Sequence, residues 1–353
     1  MTDAAVRPQA LAEFIARAFV ALGMPADDAR CVAELMTEAE LQGSDGHGAI
    51  RLAPYVKRIR SGGINLRPNI RITQEHAATA LIDGDNAMGH LVMKRAAEIA
   101  VEKARTAGMA WVGSVHSNHA GPASLYARMA LPHDMIGLYF AVGNANHLPP
   151  WGGLTMLLST NPIAVAIPAH DEPPVVLDMA TTVAAYGKVK ARAQRGEPMP
   201  EGWMIDRQGR PLTDPTRADE GFLLPIGGYK GYGLALVVGL LAGTLNGAAM
   251  GREVVDFNHD FETPTNTGQA IAMIDISAFG DPAEFKQRVD VLVRDLRASE
   301  RLPEVDRIWL PGEQSHAKRI ANQRDGIPIG TGLRKALDGV AAELGMAPLC
   351  GVT

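Results

Sequence analysis

Cysteine is nearly missing from this 353-residue chain, which has only Cys31 and Cys350. Two isolated thiols make no disulfide framework, and a chain of this length can bury a core without one. An excess of either charge is also missing: 34 Lys and Arg stand against 39 Asp and Glu, a net charge of −5. That balance gives no electrostatic reason to expect nucleic acid or an anionic membrane as partner. The opening residues Met1-Thr-Asp-Ala-Ala-Val-Arg7 lack the apolar stretch of a secretory signal, so a cytoplasmic address is expected. Long apolar runs are absent save one, Gly231 to Met250. Its five glycines and Asn246 suit a helix of the core, or of a subunit interface, better than a bilayer span. It reads as core.

Phosphate-binding signatures are absent as well. Neither Gly-x-Gly-x-x-Gly nor a Walker sequence occurs, and Gly231-Tyr-Gly233 and Gly330-Thr-Gly332 both lack the third glycine. A dinucleotide, if one binds, does so outside the Rossmann fold.

What is present reads as an ordinary globular chain, with 46% apolar and 21% charged residues. Leu11, Phe14, Ile15, Ala18, Phe19 and Leu22 share one helical face that ends at Gly23. Pro25, Asp27 and Asp28 open a second helix that stops near Gly43, and a third spans about 49–59. Helix-like stretches (91–107, 124–130) then alternate with strand-like ones (109–115, 136–142, 163–167, 175–177). A surface hairpin around Trp203 and Gly209, the apolar helix, a strand at 270–276, an amphipathic helix at 283–296 and closing helices complete the pattern. The expectation is an α/β fold. A helical domain of residues 1–75, packed by 280–353, would flank an α/β domain of residues 76–279.

Three clusters carry chemistry. In Gly46-His47-Gly48-Ala-Ile-Arg51 the histidine lies on a loop leading into a helix, with a pKa range suited to proton transfer. Arg51, one turn on, could hold a carboxylate within its reach; a flexible loop with a surface histidine is the plainer reading. His116-Ser-Asn-His119 follows a strand and reads as a ligand-contacting loop. A metal held by His116, His119 and either His133 or His147 is the alternative, and would make a hydrolase. Gly227-Gly-Tyr-Lys230-Gly-Tyr-Gly233 at the start of the apolar helix suits a phosphate, or else tight packing alone.

The joint order of these motifs resembles the type 2 malate/L-lactate dehydrogenase family, which includes ureidoglycolate, sulfolactate and diketogulonate oxidoreductases and a cyclic imine reductase. The resemblance runs through His47-Gly-Ala-Ile-Arg51, Arg60-Ser-Gly-Gly-Ile-Asn65, Ser117-Asn-His119, Pro150-Trp-Gly-Gly153, Thr160-Asn-Pro162, Leu177-Asp-Met-Ala-Thr181, Gly227 to Gly233 and Pro311-Gly-Glu313. It implies a non-Rossmann nicotinamide-binding fold with a mixed sheet, NAD or NADP as cofactor, a small carboxylate substrate and a homodimer. By position it implies that His47 exchanges the proton at the substrate oxygen, Arg51 holds the carboxylate and Thr160 faces the substrate. His119, Ala120, Gly121, Pro122 and Ala123, with Asp178, Met179 and Ala180, would line the cofactor, as would Tyr229, Lys230, Gly312 and Glu313. Lys188, grouped with the catalytic residues, stands where the imine-reducing relative carries an acid, which points to a 2-oxo acid. Gly46 replaces the serine many relatives have there, with Ser44 and Asp45 further back, so a hydroxyl assisting His47 must come from elsewhere. A catalytically silent nucleotide-binding protein is the remaining alternative. The loop Gly143 to Pro150, with His147, also departs from the family pattern.

Overall fold

The computed structural model describes residues 4–44 and 46–349; Asp45 and Cys350 lie outside the described residues. The chain opens with strand β1 (Ala4–Val6) and helices α1 (Pro8–Ala21), α2 (Ala26–Leu41) and α3 (Leu52–Arg60). Pro8 occupies the first turn of α1, where its missing N–H costs nothing. Asp27 and Asp28 lie in the first turn of α2, favourable to the helix dipole.

Next come β2 (Arg71–Glu75), β3 (Thr79–Asp83), α4 (Gly89–Ala107), β4 (Met109–Ser117), the short α5 (Ser124–Ala127), β5 (Met135–Ala141), β6 (Ile163–Ile167) and β7 (Val175–Met179). Helix α6 (Tyr186–Arg195), β8 (Met204–Asp206), β9 (Gly221–Leu223), α7 (Tyr229–Ala242) and β10 (Thr267–Asp275) follow. Helices α8 (Pro282–Ala298) and α9 (Glu313–Asp325), strand β11 (Ile327–Ile329) and α10 (Thr331–Glu343) close the described chain.

A seven-stranded sheet in the order β2-β3-β4-β10-β5-β6-β7 forms the centre. It is mixed, because β3 and β4 run parallel while every other pair is antiparallel. Helix α4 presents Val92, Ala96, Ala97, Ala100 and Ala104 to one face of it, all buried. Those small side chains let the helix lie close to the strands. The two chain ends meet elsewhere: β1 pairs with β11, and Leu11, Phe14, Phe19, Met36 and Tyr55 share one buried cluster with Leu337 and Val340.

The structure adds to the sequence reading in three places. Helix α7 is buried only along Gly231, Ala235, Val238, Gly239 and Ala242, while Val237, Leu240 and Leu245 beyond it are 44–64% exposed. Its uniform apolarity hides which side is covered, because no polar stripe marks the other. The stretch around Trp203 turns at Gly209 as expected, with the Asp206 N–H on the Arg210 carbonyl, the Leu212 N–H on the Met204 carbonyl and Ile205 bridged to Pro211. Strand β8 also pairs with β9, fifteen or more positions away, across a small core of Val189, Met199, Met204 and Leu223. Helix α8 lies against the β6–β7 turn, where the Asp290 carboxylate accepts the N–H groups of His170, Asp171 and Glu172.

Candidate active site

The loop between α2 and α3 is held from below. Glu40, buried near the end of α2, accepts the Ala49 N–H at 2.6 Å, and a Cβ on Gly48 would collide with that carboxylate. Glycine is therefore required at position 48, and the fixed loop presents His47 to the interior. Arg51 closes a 3-10 turn (Ala49–Arg51) ahead of α3, and its Nε donates to the Gly46 carbonyl at 2.7 Å. The guanidinium thus folds back along the loop that carries His47 and does not extend straight up a helix.

His119, just past β4, meets this loop from the opposite side. His47 Nδ1 and His119 Nε2 lie 3.3 Å apart, and the two rings stack with centroids 5.4 Å apart. The hydroxyl of Tyr55, a fully buried residue of α3, lies 2.5 Å from His119 Nδ1. The Gly121 N–H also points to Nδ1, at 3.4 Å. With hydroxyl and amide both offering hydrogens to Nδ1, the His119 proton belongs on Nε2, facing His47. Phe257 packs on His119 and Tyr55 at 5.7 and 5.8 Å.

Electrostatics keep these rings neutral. Burial, helped by the Arg51 charge, pushes His47 down to about 4. The same causes, with the neighbouring histidines His47 and His90 added, hold His119 well below the usual histidine range. Burial raises Tyr55 despite the opposing pull of Arg51. His47 and His119 nevertheless keep part of their surface accessible. Both rings are thus largely enclosed by protein while keeping some surface in reach of a ligand.

Tyr55 was not anticipated, although the spacing that relates Arg51 to His47 continues four residues on to it. Its hydroxyl contacts His119, not His47 itself. His90, with no exposed surface and edge-on to Tyr55 at 5.9 Å, had no sequence signal, and neither had Phe257.

The other expected residues gather around the end of β7. The Ser124 N–H donates to Asp178 Oδ2 at 2.9 Å, which ties the 119–123 loop to that strand. Thr181 N–H bonds the Thr160 carbonyl at 2.9 Å, and Ile226 N–H bonds the Thr181 carbonyl at 3.0 Å, bringing the glycine turn before Tyr229 and Lys230 to the same place. Pro311 accepts the Val176 N–H, and Gly312, at φ 84°, presses on Val176 so closely that a Cβ would clash. The Glu313 carboxylate is taken by Arg297 (2.7 Å), Arg307 (3.0 Å) and the Leu310 N–H (3.1 Å). Asp178 remains accessible, yet enclosing protein raises its carboxyl above the ordinary value. Glycine turns at positive φ (Gly227, Gly228), an exposed Lys230 and a cleft-side carboxylate fit a dinucleotide, which needs N–H donors and a cation for its diphosphate and an acceptor for its ribose.

Lys188 is exposed on α6, and its side chain makes no hydrogen bond or ion pair among the described residues. Lys190, two positions on, is the α6 lysine that reaches the site's loops, donating to Asn258 Oδ1 at 3.1 Å. His116 turns away to Asp83, at 2.9 Å, while His119 faces Tyr55 and His47, so the pair shares no ligand position. Among the described residues no group of three or more His, Cys, Asp or Glu could hold a metal ion.

The sequence profile described as malate/L-lactate dehydrogenase matches residues 6–338. The chain belongs to the malate/L-lactate dehydrogenase family. Within that family it is 38% identical over 348 residues to a malate dehydrogenase of Pyrococcus horikoshii, covering 96% of this chain and 95% of that one. It is 36% identical over 339 residues to an L-sulfolactate dehydrogenase of Methanothermobacter thermautotrophicus, covering 96% and 97%. The solved malate dehydrogenase from Pyrococcus horikoshii OT3 matches with a TM-score of 0.90 and 35% identity over 99% of both chains. The Δ1-piperideine-2-carboxylate reductase from Pseudomonas syringae pvar. tomato matches with a TM-score of 0.85 and 29% identity, over 96% of this chain and 99% of that one. The expectation of an α/β dehydrogenase using NAD or NADP stands with this membership.

Proposed function

We propose that the protein transfers a hydride between NAD or NADP and C2 of a small 2-hydroxy/2-oxo acid. The observation that carries this reading is one continuous contact chain, Arg51 to Gly46, His47 to His119, and His119 to Tyr55. Bound cofactor supplies or accepts the hydride. Arg51 holds the substrate carboxylate with its guanidinium fork and so fixes C2 and its oxygen beside His47. The histidine pair then gives a proton to that oxygen in reduction and takes it in oxidation, with Tyr55 fixing the tautomer from behind. Thr160 closes the substrate side. The 119–123 loop, Asp178–Ala180, Tyr229, Lys230 and Gly312 line the cofactor, with Glu313 bracing that last turn through Arg297 and Arg307.

Arg51 also couples binding to chemistry. Its charge helps keep His47 unprotonated in the free protein. A carboxylate seated on Arg51 cancels that charge, which raises the histidine's hold on a proton when an acid is needed.

Malate and sulfolactate, named for the relatives above, support a 2-hydroxy acid. The likeness to a piperideine carboxylate reductase supports a second reading, reduction of a cyclic imine acid. Assays of NADH and NADPH oxidation against 2-oxo acids and against cyclic imine acids decide between them. Turnover of the oxo acids, lost in His47→Ala with cofactor binding retained, is the expected result; turnover of the imines alone overturns it.

The same reading takes residues 1–75, joined by β11 and α10 of segment 280–353 but not by α8, as one unit and 76–279 as the other, and gives the protein a cytoplasmic address. The shared buried cluster of both chain ends supports the first. No helix among the described residues is long and apolar enough to cross a membrane. A homodimer belongs to it too, supported by the uncovered apolar face of Val237, Leu240 and Leu245. Val237→Glu should shift the sedimentation profile from dimer to monomer; an unchanged profile would place any interface elsewhere.

A further inference from the structure

Lys190 occupies a position that the proposed chemistry leaves unused. Its ammonium donates to Asn258 Oδ1 at 3.1 Å and lies 5.4 Å from the centre of the Tyr186 ring. Tyr186 in turn stacks on His147, centroids 4.2 Å apart. Asn258 is the next residue after Phe257, whose ring packs on His119 and Tyr55, and the Phe257 N–H is fixed to the Asn144 carbonyl at 2.9 Å. The chain of contacts therefore links the exposed Lys190, through Asn258 and its neighbour Phe257, to the loop that packs on His119 and Tyr55.

The charge of Arg51 bears on Lys190. Burial and then the Arg51 charge lower the proton affinity of Lys190, while Asp256 and Asp219 act against them. Both acids are engaged nearby: Asp256 accepts from the Asn258 backbone (2.8 Å) and side-chain amide (3.1 Å), and Asp219 accepts from the Tyr186 hydroxyl (3.1 Å). Among the described residues Lys190 forms no ion pair. Two cations whose charges act on each other repel until an anion comes between them.

We propose that Lys190 is the specificity-determining residue that receives a second anionic group on the substrate, a carboxylate or sulfonate at the end distant from the one held by Arg51. This rests on the 2-oxo acid reading above. It assigns the loop 144–147, Asn258 and α6 to substrate choice, apart from the proton relay. A dianion neutralises both cations at once; a monoanion leaves Lys190 facing an uncharged group.

The test compares oxaloacetate and sulfopyruvate, both dianions, with pyruvate in the full-length protein and in Lys190→Met and Lys190→Arg. The wild type should prefer the dianions, and Lys190→Met should cut the dianion-to-monoanion ratio of kcat/KM about 10- to 100-fold, chiefly through KM, as loss of one charged hydrogen bond does. Lys190→Arg should keep most of the preference. Calorimetric titration with succinate against butyrate gives a readout without turnover, and Lys190→Met should lose its advantage for succinate. An unchanged ratio, or an effect confined to the KM for NADH or NADPH, overturns the assignment to Lys190 while leaving the 2-oxo acid reading intact. No turnover of any oxo acid by the wild type overturns both.

Discussion

A carboxylate laid against Arg51 changes what His47 experiences, so the two residues cannot be separated in function. Arg51→Ala should lower kcat/KM for a carboxylate substrate by about 10- to 100-fold, mostly through KM, as expected for lost charge-assisted hydrogen bonds. The same variant should raise the apparent pKa of the free protein's histidine pair, because the depressing charge is gone. A pH profile of kcat/KM checks this, and an unmoved acid limb would count against the coupling. Tyr55→Phe removes one neutral hydrogen bond from His119 and should lower kcat about tenfold with little change in KM. A pure KM effect in steady-state kinetics would instead make Tyr55 part of the substrate wall. The closeness of Arg51 to His47 could be read from spacing, whereas Tyr55, one interval further on, carried no signal of its own. His119 was singled out by its loop, but its partnership with His47 was not, since the two lie 72 residues apart in the chain. Lys188 was named from the resemblance alone, and nothing in the sequence of α6 shows that Lys190, on the other side of the buried Val189, is the one that bonds Asn258.

At the scale of elements, α3 does more than carry Arg51 and Tyr55. Arg58, with no exposed surface, reaches across to donate to the carbonyls of Asp260 and Thr263, and its guanidinium lies 5.4 Å from the Phe257 ring centre. One side chain thereby fastens the whole 256–265 loop to the helix that bears the proposed carboxylate anchor. Arg58→Met keeps most of the apolar stem but loses both charged donors, a cost of about 2–4 kcal/mol. Hydrogen exchange should rise first in residues 256–265, and kcat/KM should fall although Arg58 touches no proposed reacting group. Uniformly faster exchange across α1 and α2 would mean that Arg58 serves global stability only. Elements with a clear period were legible: β6 spans the apolar run at 163–167, and α4 and β10 lie within a few residues of their expected places. Helix α6 was not, because its one buried apolar side chain, Val189, gives no stripe to read. The pairing of β1 with β11 joins three-residue strands over 300 positions apart, and nothing local announces it.

Across the whole molecule, buried neutral histidines make stability depend on acid. His47 and His147 are pushed down to about 4 and His90 to about 3, in each case first by burial, and His119 and His316 are lowered as well. In the unfolded chain these residues take up protons as the pH falls through 6.5; in the folded chain they do not until it is far lower. Folding therefore releases protons in this window, so the stabilisation is complete above about pH 6.5 and drains away as the pH drops towards the folded values. His90 gives the cleanest case, being wholly inside and outside the proposed relay. At pH 5 its share of the loss is about 2 kcal/mol, from one and a half pKa units at about 1.4 kcal/mol each. Glutamine at this position stays uncharged at every pH, so His90→Gln should flatten the fall in unfolding free energy between pH 6.5 and 5 by close to one proton's worth, whatever it costs at pH 7. Urea unfolding of both proteins at a series of pH values measures the two slopes. Parallel slopes would mean that His90 accepts its proton within the fold, and the acid sensitivity would then belong to the cleft histidines alone.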